Sequence, residues 1–197
     1  MTQRSIQAGQ TATVIVRAGG TVRVEGREGD RVLANTEGRW GLKVERRGDA
    51  IEVHIGGSGT VYVSLDSSVK VYAGKDIEVR NIGGSATIYA GGKGSLRAIH
   101  SLVHASAGAA LDIECERIEG DALQCSAGRD LRFYIRALRD ARLMINDLGG
   151  YWEGVIGAGR TRIRLTAGGD VALVTDQTVV AQPPHYILGK IERPGEG

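Results

Sequence analysis

Nine times along this chain a short apolar stretch runs into a glycine corner and another leaves it. The pattern is most legible at Ala73-Gly74-Lys75-Asp76-Ile77, Ala127-Gly128-Arg129-Asp130-Leu131 and Ala167-Gly168-Gly169-Asp170-Val171. With Gly19, Gly38, Gly56, Gly74, Gly91, Gly108, Gly128, Gly149 and Gly168 as corners, successive spacings are 19, 18, 18, 17, 17, 20, 21 and 19 residues, within the range that marks stacked repeats. Columns at fixed offsets from the corners test this register, because alternate residues of a strand point to opposite faces. Five residues before the corner stand Val14, Leu33, Ile51, Val69, Ala86, Val103, Leu123, Met144 and Ile163, all apolar and expected to face the core. Two residues before it stand Arg17, Thr36, His54, Tyr72, Tyr89, Ser106, Ser126, Asp147 and Thr166, expected to face water.

Three residues after the corner the core resumes with Val22, Ile77, Leu111, Leu131, Trp152 and Val171. Alternation of period two, with glycine supplying positive φ at the bends, predicts coils in which each strand pairs with its counterpart one coil on. The expectation is an all-β, single-domain parallel β-solenoid (β-helix) of about nine coils, with a period of about 17–21 residues and no significant helix. At about 4.8 Å per coil it would be about 43 Å long, too narrow for large rings, in keeping with 5% aromatic residues. Residues 1–10 read as an N-terminal cap or tail, 11–177 as the solenoid, and 178–197 as a C-terminal segment broken by Pro183-Pro184.

The net charge of +2 comes from 25 basic and 23 acidic residues without a run of like charge. No basic face interleaved with aromatics is visible along the chain, so nucleic acid is not an expected partner. No apolar run is long enough to span a bilayer and the first ten residues are polar, which predicts a cytoplasmic protein without membrane insertion. Cys115 and Cys125 fall on inward parity and read as buried free thiols.

Several groups of residues invite a chemical reading. Asp112, Glu114 and Glu116 lie outward on one strand beside Arg132, Tyr134 and Arg136 one coil later. Paired acids suit glycosidic cleavage, but opposite charges across paired strands form an ordinary cross-strand ladder, and no nucleophile, base and orienting group assemble from the columns. No catalytic residue is therefore assigned and an enzyme is not expected. His54, Tyr72 and Tyr89 occupy one outward column with His104 slightly out of line. They read either as a face that binds carbohydrate or an envelope protein, or as an aromatic ladder that shields the sheet.

The four histidines lack the spacing and flanking acids of a metal site, so no metal and no cofactor are expected. Gly56-Gly57-Ser58-Gly59-Thr60-Val61 and Gly91-Gly92-Lys93-Gly94-Ser95-Leu96 begin like a calcium-binding nonapeptide but place Val61 or Leu96 where a carboxylate ligand is needed. Gly157-Ala158-Gly159 reads as a turn rather than a dinucleotide fingerprint. Asp76, Asp130 and Asp170 are placed to accept hydrogen bonds from turn amides.

At the Ala-Gly-x-Asp-apolar repeats, and at the Ile82-Gly83-Gly84 and Ile118-Glu119-Gly120 steps after them, the chain resembles the bacterial putative-adhesin β-solenoid domains of unknown function known as the toastrack group. The resemblance spans about Thr11 to Gln177 and transfers no catalytic residue. It implies envelope stress or surface adhesion as the setting, and so a cell-surface location. Bactofilins, which polymerise end to end, offer an analogy for behaviour.

A solenoid exposes unpaired backbone at its first and last coils. The polar segment Ser5 to Gln10 would cover the first. Tyr186, Ile187, Leu188 and Ile191 would form a strand that caps this chain or adds to a neighbouring subunit. Two functions follow as expectations. One is a structural protein that self-associates through its ends or faces into a homo-oligomer or filament, and the other is a binding module that presents His54, Tyr72, Tyr89 and His104.

Overall fold

In the computed structural model residues 2–36, 41–136, 138, 140–175 and 180–181 are described. Eighteen strands hydrogen-bond into one sheet, and there is no helix among the described residues. The sheet folds back on itself as two opposed layers with the core between them. The front layer holds, in spatial order, β5 (Leu42–Arg47), β6 (Ala50–Ile55), β2 (Thr13–Ala18), β8 (Ser68–Ala73) and the second halves of β9 (Ile77–Ala90) and β10 (Gly94–Ala107). It continues through β12 (Ala122–Ala127), β16 (Thr161–Ala167), β14 (Ala141–Asp147), β15 (Gly150–Ile156) and β18 (Val180–Ala181). The back layer runs β1 (Thr2–Gln7), β4 (Arg31–Thr36), β7 (Gly59–Ser64), β3 (Val22–Arg27), the first halves of β9 and β10, β11 (Leu111–Ile118), β13 (Leu131–Ile135) and β17 (Val171–Thr175).

The β-solenoid class read from the sequence is therefore present, but strict coil-by-coil order holds only from β8 to β13. There, every pairing is parallel and joins consecutive coils. Nearer the N-terminus, β2 and β3 lie between the β6–β7 coil and the β8–β9 coil. At the far end β16 and β17 pair directly with β12 and β13, and β14 sits outside β16. The cause is local. Arg47-Gly48-Asp49-Ala50 and Asp147-Leu148-Gly149-Gly150 close antiparallel hairpins, and Gly48 supplies the positive φ of a two-residue turn, +58°. The eighth expected coil is thus the β14–β15 hairpin, and β5, the trailing strand of the second, forms a hairpin with β6, the leading strand of the third. Gly149 is a hairpin turn, and Gly38 lies outside the described residues.

These hairpins change the inward column. Val14, Ile51, Val69, Ala86, Leu123 and Ile163 are buried as expected. Leu33 and Met144 are only half-buried, because in β4 and β14 the inward residues are Val32, Ala34 and Thr36, and Ala141, Leu143 and Ile145. Val103 is turned out by a register shift after Leu102, which takes the core position. Thr36, expected in water, is fully buried and donates its hydroxyl to the Ser58 carbonyl at 3.2 Å. All six residues of the second inward column are buried. The narrow core also admits two large rings: Phe133 is fully buried and Trp152 nearly so, the latter over Gly154, where a Cβ would strike the indole.

The corner glycines act differently from the sequence expectation. None of Gly19, Gly56, Gly74, Gly91, Gly108, Gly128 and Gly168 has positive φ. They stack in the order Gly56, Gly19, Gly74, Gly91, Gly108, Gly128, Gly168. A Cβ on any of the last six would come within 2.5 Å of the preceding glycine's carbonyl oxygen. Each of those six also donates its amide to the carbonyl of the residue before the preceding glycine, at 2.9–3.1 Å. The repeat exists because the coil spacing leaves no room for a side chain there. A second ladder runs beside it: Asp76 Oδ1 accepts from the Lys93 amide at 2.7 Å and Asp130 Oδ1 from the Asp170 amide at 3.1 Å. The expected aspartate role thus links one coil to the next.

The N-terminal end of the stack is closed by β1 and β5. β1 pairs antiparallel with β4 rather than covering the first coil. Arg46 of β5 donates from Nη2 to the Gln7 carbonyl at 2.8 Å, tying the two layers together. Charged edge strands of this kind discourage addition of another strand.

The glycine ladder makes a definite prediction for urea unfolding. Gly108→Ala lowers the unfolding free energy by about 3 kcal/mol through overpacking. Gly120→Ala, at an open turn position with φ +76°, loses only about 1 kcal/mol from backbone strain. Equal losses at the two sites would contradict the steric account.

Candidate binding face

Of the residues singled out in the sequence, Tyr72, Tyr89 and His104 come together on the front layer. The Tyr72 and Tyr89 rings are stacked, with centroids 5.0 Å apart and planes at 4°, and Tyr89 meets His104 at 4.9 Å. His54 is in the same row but not adjacent, because β2 intervenes and Arg17 pairs with both His54 and Tyr72. The Arg17 guanidinium lies 4.6 Å from the Tyr72 ring centroid, a cation–π contact. Both tyrosine faces are consequently covered within the ladder, and the rings present edges and hydroxyls to solvent. Burial holds the His104 imidazole below its ordinary pKa, favouring the neutral ring.

The same row continues in register as Tyr72, Tyr89, Ser106, Ser126, Thr166 and Asn146. Below it runs Lys70, Thr87, His104, Gln124, Arg164 and Met144. One groove of about 710 Å³ lies along the first row, walled by Arg17, His54, Tyr72, Tyr89 and Ser106 and floored by the corner glycines. A depression of about 410 Å³ follows, lined by His104, Gln124, Met144, Arg162 and Arg164. The bare glycine backbone makes the trough, so the packing constraint and the surface relief have one origin.

Charge is distributed differently on the back layer and on the central strands of the front. On the back layer, Arg23 reaches Glu25 at 3.5 Å and Glu78 at 3.8 Å, Arg27 reaches Glu25 at 3.2 Å, Arg80 pairs with Glu78, Arg97 with Asp112, and Arg136 with Glu114 at 3.3 Å. Glu116 is held by His100 at 2.6 Å. The acidic strand is thus a cross-strand ladder, with Arg97 of the preceding coil taking Asp112 in place of Arg132. On the front layer the strands from β2 to β14 carry Arg17, Lys70, Arg162, Arg164 and Arg142 outward, and Asp147 at the tip of β14 is their one acid. Among the described residues none of these five cations forms an ion pair. A basic face with aromatics, absent along the sequence, is therefore present in space.

His54 also belongs to another group. Its Nε2 lies 3.2 Å from Glu52 Oε2, and Glu45 of the neighbouring hairpin strand completes a cluster of potential metal ligands. Lys43 at 2.7 Å and Arg47 at 2.9 Å already occupy Glu45, and Arg47 reaches Glu52 at 3.5 Å, so the geometry is that of an ion-pair network. Val61 and Leu96 of the glycine-rich boxes are core residues. Gly157 and Gly159 form a turn, with Asp140 accepting from the Ala158 amide at 2.8 Å. Tyr186, Ile187, Leu188 and Ile191 lie outside the described residues.

No family model matches the chain and no curated protein matches it. A solved structure of a "putative cell adhesion protein" from Clostridium sporogenes aligns over 88% of this chain and 98% of its own, with 9% identity and a TM-score of 0.48. That likeness is too distant to transfer a function. No helix among the described residues is long and apolar enough to cross a membrane.

Cys115 and Cys125 are buried and unbridged. Burial, reinforced by Glu114 and Glu116, pushes the Cys115 thiol up to about 12, and burial raises Cys125 as well. Thiolate is the reactive form, so at pH 8 the native protein should leave both thiols unmodified by a disulfide reagent, while in denaturant both should react within minutes. Rapid reaction of either in the native state would contradict the packing.

Proposed function

We propose that this protein is a non-enzymatic, adhesin-like binding module that lays a carbohydrate polymer along its front layer. The observation that carries this reading is the row Tyr72, Tyr89, Ser106, Ser126, Thr166 and Asn146, which sets one hydrogen-bonding side chain on each strand, the first three beside a trough and Ser126 donating to Ser106 at 3.0 Å. At about 4.8 Å per strand the row repeats on the scale of a sugar ring. With the tyrosine faces covered, recognition runs through hydroxyl edges rather than ring stacking. The carboxylates that resemble a hydrolytic pair sit on the opposite layer, Asp112 against Arg97, Glu114 against Arg136 and Glu116 against His100. Titration calorimetry against a panel of soluble polysaccharides should find a ligand, and Tyr72→Ala with Tyr89→Ala should weaken it at least about 10-fold, the loss of one to two hydrogen bonds, with the far-ultraviolet spectrum unchanged. Binding to none of the panel, or unchanged binding by the double variant, would overturn the reading.

A second reading, self-association, is supported by the far end of the stack. At the tip of the β14–β15 hairpin Leu148 is 80% exposed and Tyr151 51%, in contrast to the charged β5 edge. If copies meet there, Leu148→Lys with Tyr151→Lys should convert an oligomer to monomer in light scattering. A wild-type monomer at all concentrations would exclude it.

A further inference from the structure

We propose that the polymer bound on the front layer is an acidic, carboxylate-bearing polysaccharide, and that Arg142, Arg162 and Arg164 are the residues that select it. The inference rests on the carbohydrate reading above and adds the ligand's charge. Arg162 and Arg164 project from β16 on the outward parity, and Arg142 on β14 is the cross-strand partner of Arg162. All three are exposed. Like charges side by side destabilise a sheet. On the back layer Glu25, Glu78, Asp112 and Glu114 pair with the arginines, whereas here none of the three forms an ion pair among the described residues, and the acid on the adjoining strand is Glu153, the cross-strand partner of Met144. The Glu153 carboxylate on β15 accepts from the Tyr151 hydroxyl.

The cluster lies on the row beside the hydroxyl row. Arg164 stands next to Gln124, which stands next to His104, and His104 touches Tyr89. From β2 to β14 the track crosses seven strands, about 29 Å, with cations at both ends, Arg17 and Lys70 at one and the three arginines at the other. A polymer with hydroxyls along its length and periodic carboxylates matches both features, since guanidinium binds carboxylate through two parallel hydrogen bonds. A single-stranded nucleic acid is also anionic but needs free aromatic faces for its bases, and those of Tyr72 and Tyr89 are covered.

The test measures binding of polygalacturonate, dextran sulfate, neutral dextran and a 20-nucleotide single-stranded DNA to the full chain at low salt. It uses wild type, the front-layer variant Arg142→Gln/Arg162→Gln/Arg164→Gln, and a back-layer variant Arg80→Gln/Arg97→Gln/Arg136→Gln with the same net charge. Polygalacturonate should bind at least about 10-fold tighter than dextran and tighter than the sulfated polymer or DNA. The front-layer variant should lose about 10- to 100-fold, the scale of one or two charge-assisted contacts, and the back-layer variant less than about 3-fold. Equal affinity for dextran and polygalacturonate would overturn the acidic assignment while leaving the carbohydrate reading intact, and no binding to any polysaccharide would overturn both. Equal losses in the two variants would reduce the effect to net charge. Tighter binding of DNA would replace the polysaccharide with nucleic acid, and tighter binding of dextran sulfate would replace carboxylate with sulfate.

Discussion

The approach of one corner to the next, glycine carbonyl against bare glycine Cα, is the contact on which the rest depends. Six amide-to-carbonyl hydrogen bonds hold that column, and each requires the following coil to have hydrogen where every other residue has a Cβ. The constraint sets the distance between coils, keeps the front strands in register across them, and leaves a trough along the outside. The apolar columns then need only fill a slot of fixed width, which is done mostly by Val, Ile, Leu and Ala.

Register across the coils decides what the surface looks like. Residues as far apart in the chain as Tyr72 and Thr166 share a row, so charges that look evenly scattered along the sequence are regrouped in space, with cations on the central front strands and the front acids Glu45, Glu52 and Glu153 on the flanking hairpins. Acids from β3, β9 and β11 meet arginines on the back. The front rows draw on strands in which basic and hydroxyl residues alternate with the core and acids are almost missing. The ends follow a different rule: an antiparallel hairpin lies toward each end of the front layer, β5–β6 at one and β14–β15, followed by β18, at the other, and Arg46 reaches across to bind the β1 backbone, protecting that edge from further pairing.

Much of the architecture was legible because a solenoid repeats its own signal. The glycine period gave the corners, and six of nine residues in one apolar column and all six in the other are buried. What escaped was order. Arg47-Gly48-Asp49-Ala50, a two-residue turn between alternating runs, is a hairpin signal, yet a period search places both flanking strands inside ordinary coils. Once β2 stands between β6 and β8, Arg17 enters the aromatic column and separates His54 from Tyr72. The arginine cluster escaped for a related reason: the corner alignment sets Arg142 beside Thr161, whereas the register of β14 on β16 is shifted by one residue and pairs Arg142 with Arg162. The corner glycines are explained by space rather than by φ, a distinction that period alone does not carry, since it reveals that a small residue is needed but not why.

Strand order can be tested directly by disulfide capture. Thr13 on β2 is opposite Ser68 on β8 and, on its other side, opposite Ala50 on β6, and neighbouring strands lie within the Cα separation that a disulfide spans. Mild oxidation of Thr13→Cys/Ser68→Cys and of Thr13→Cys/Ala50→Cys should crosslink both variants in the folded state, with the buried native thiols silent. Failure of both to crosslink, with capture instead between Thr13→Cys and a cysteine placed on β4, would mean that the N-terminal coils stack in simple chain order and that Arg17 does not separate His54 from Tyr72 on the front layer.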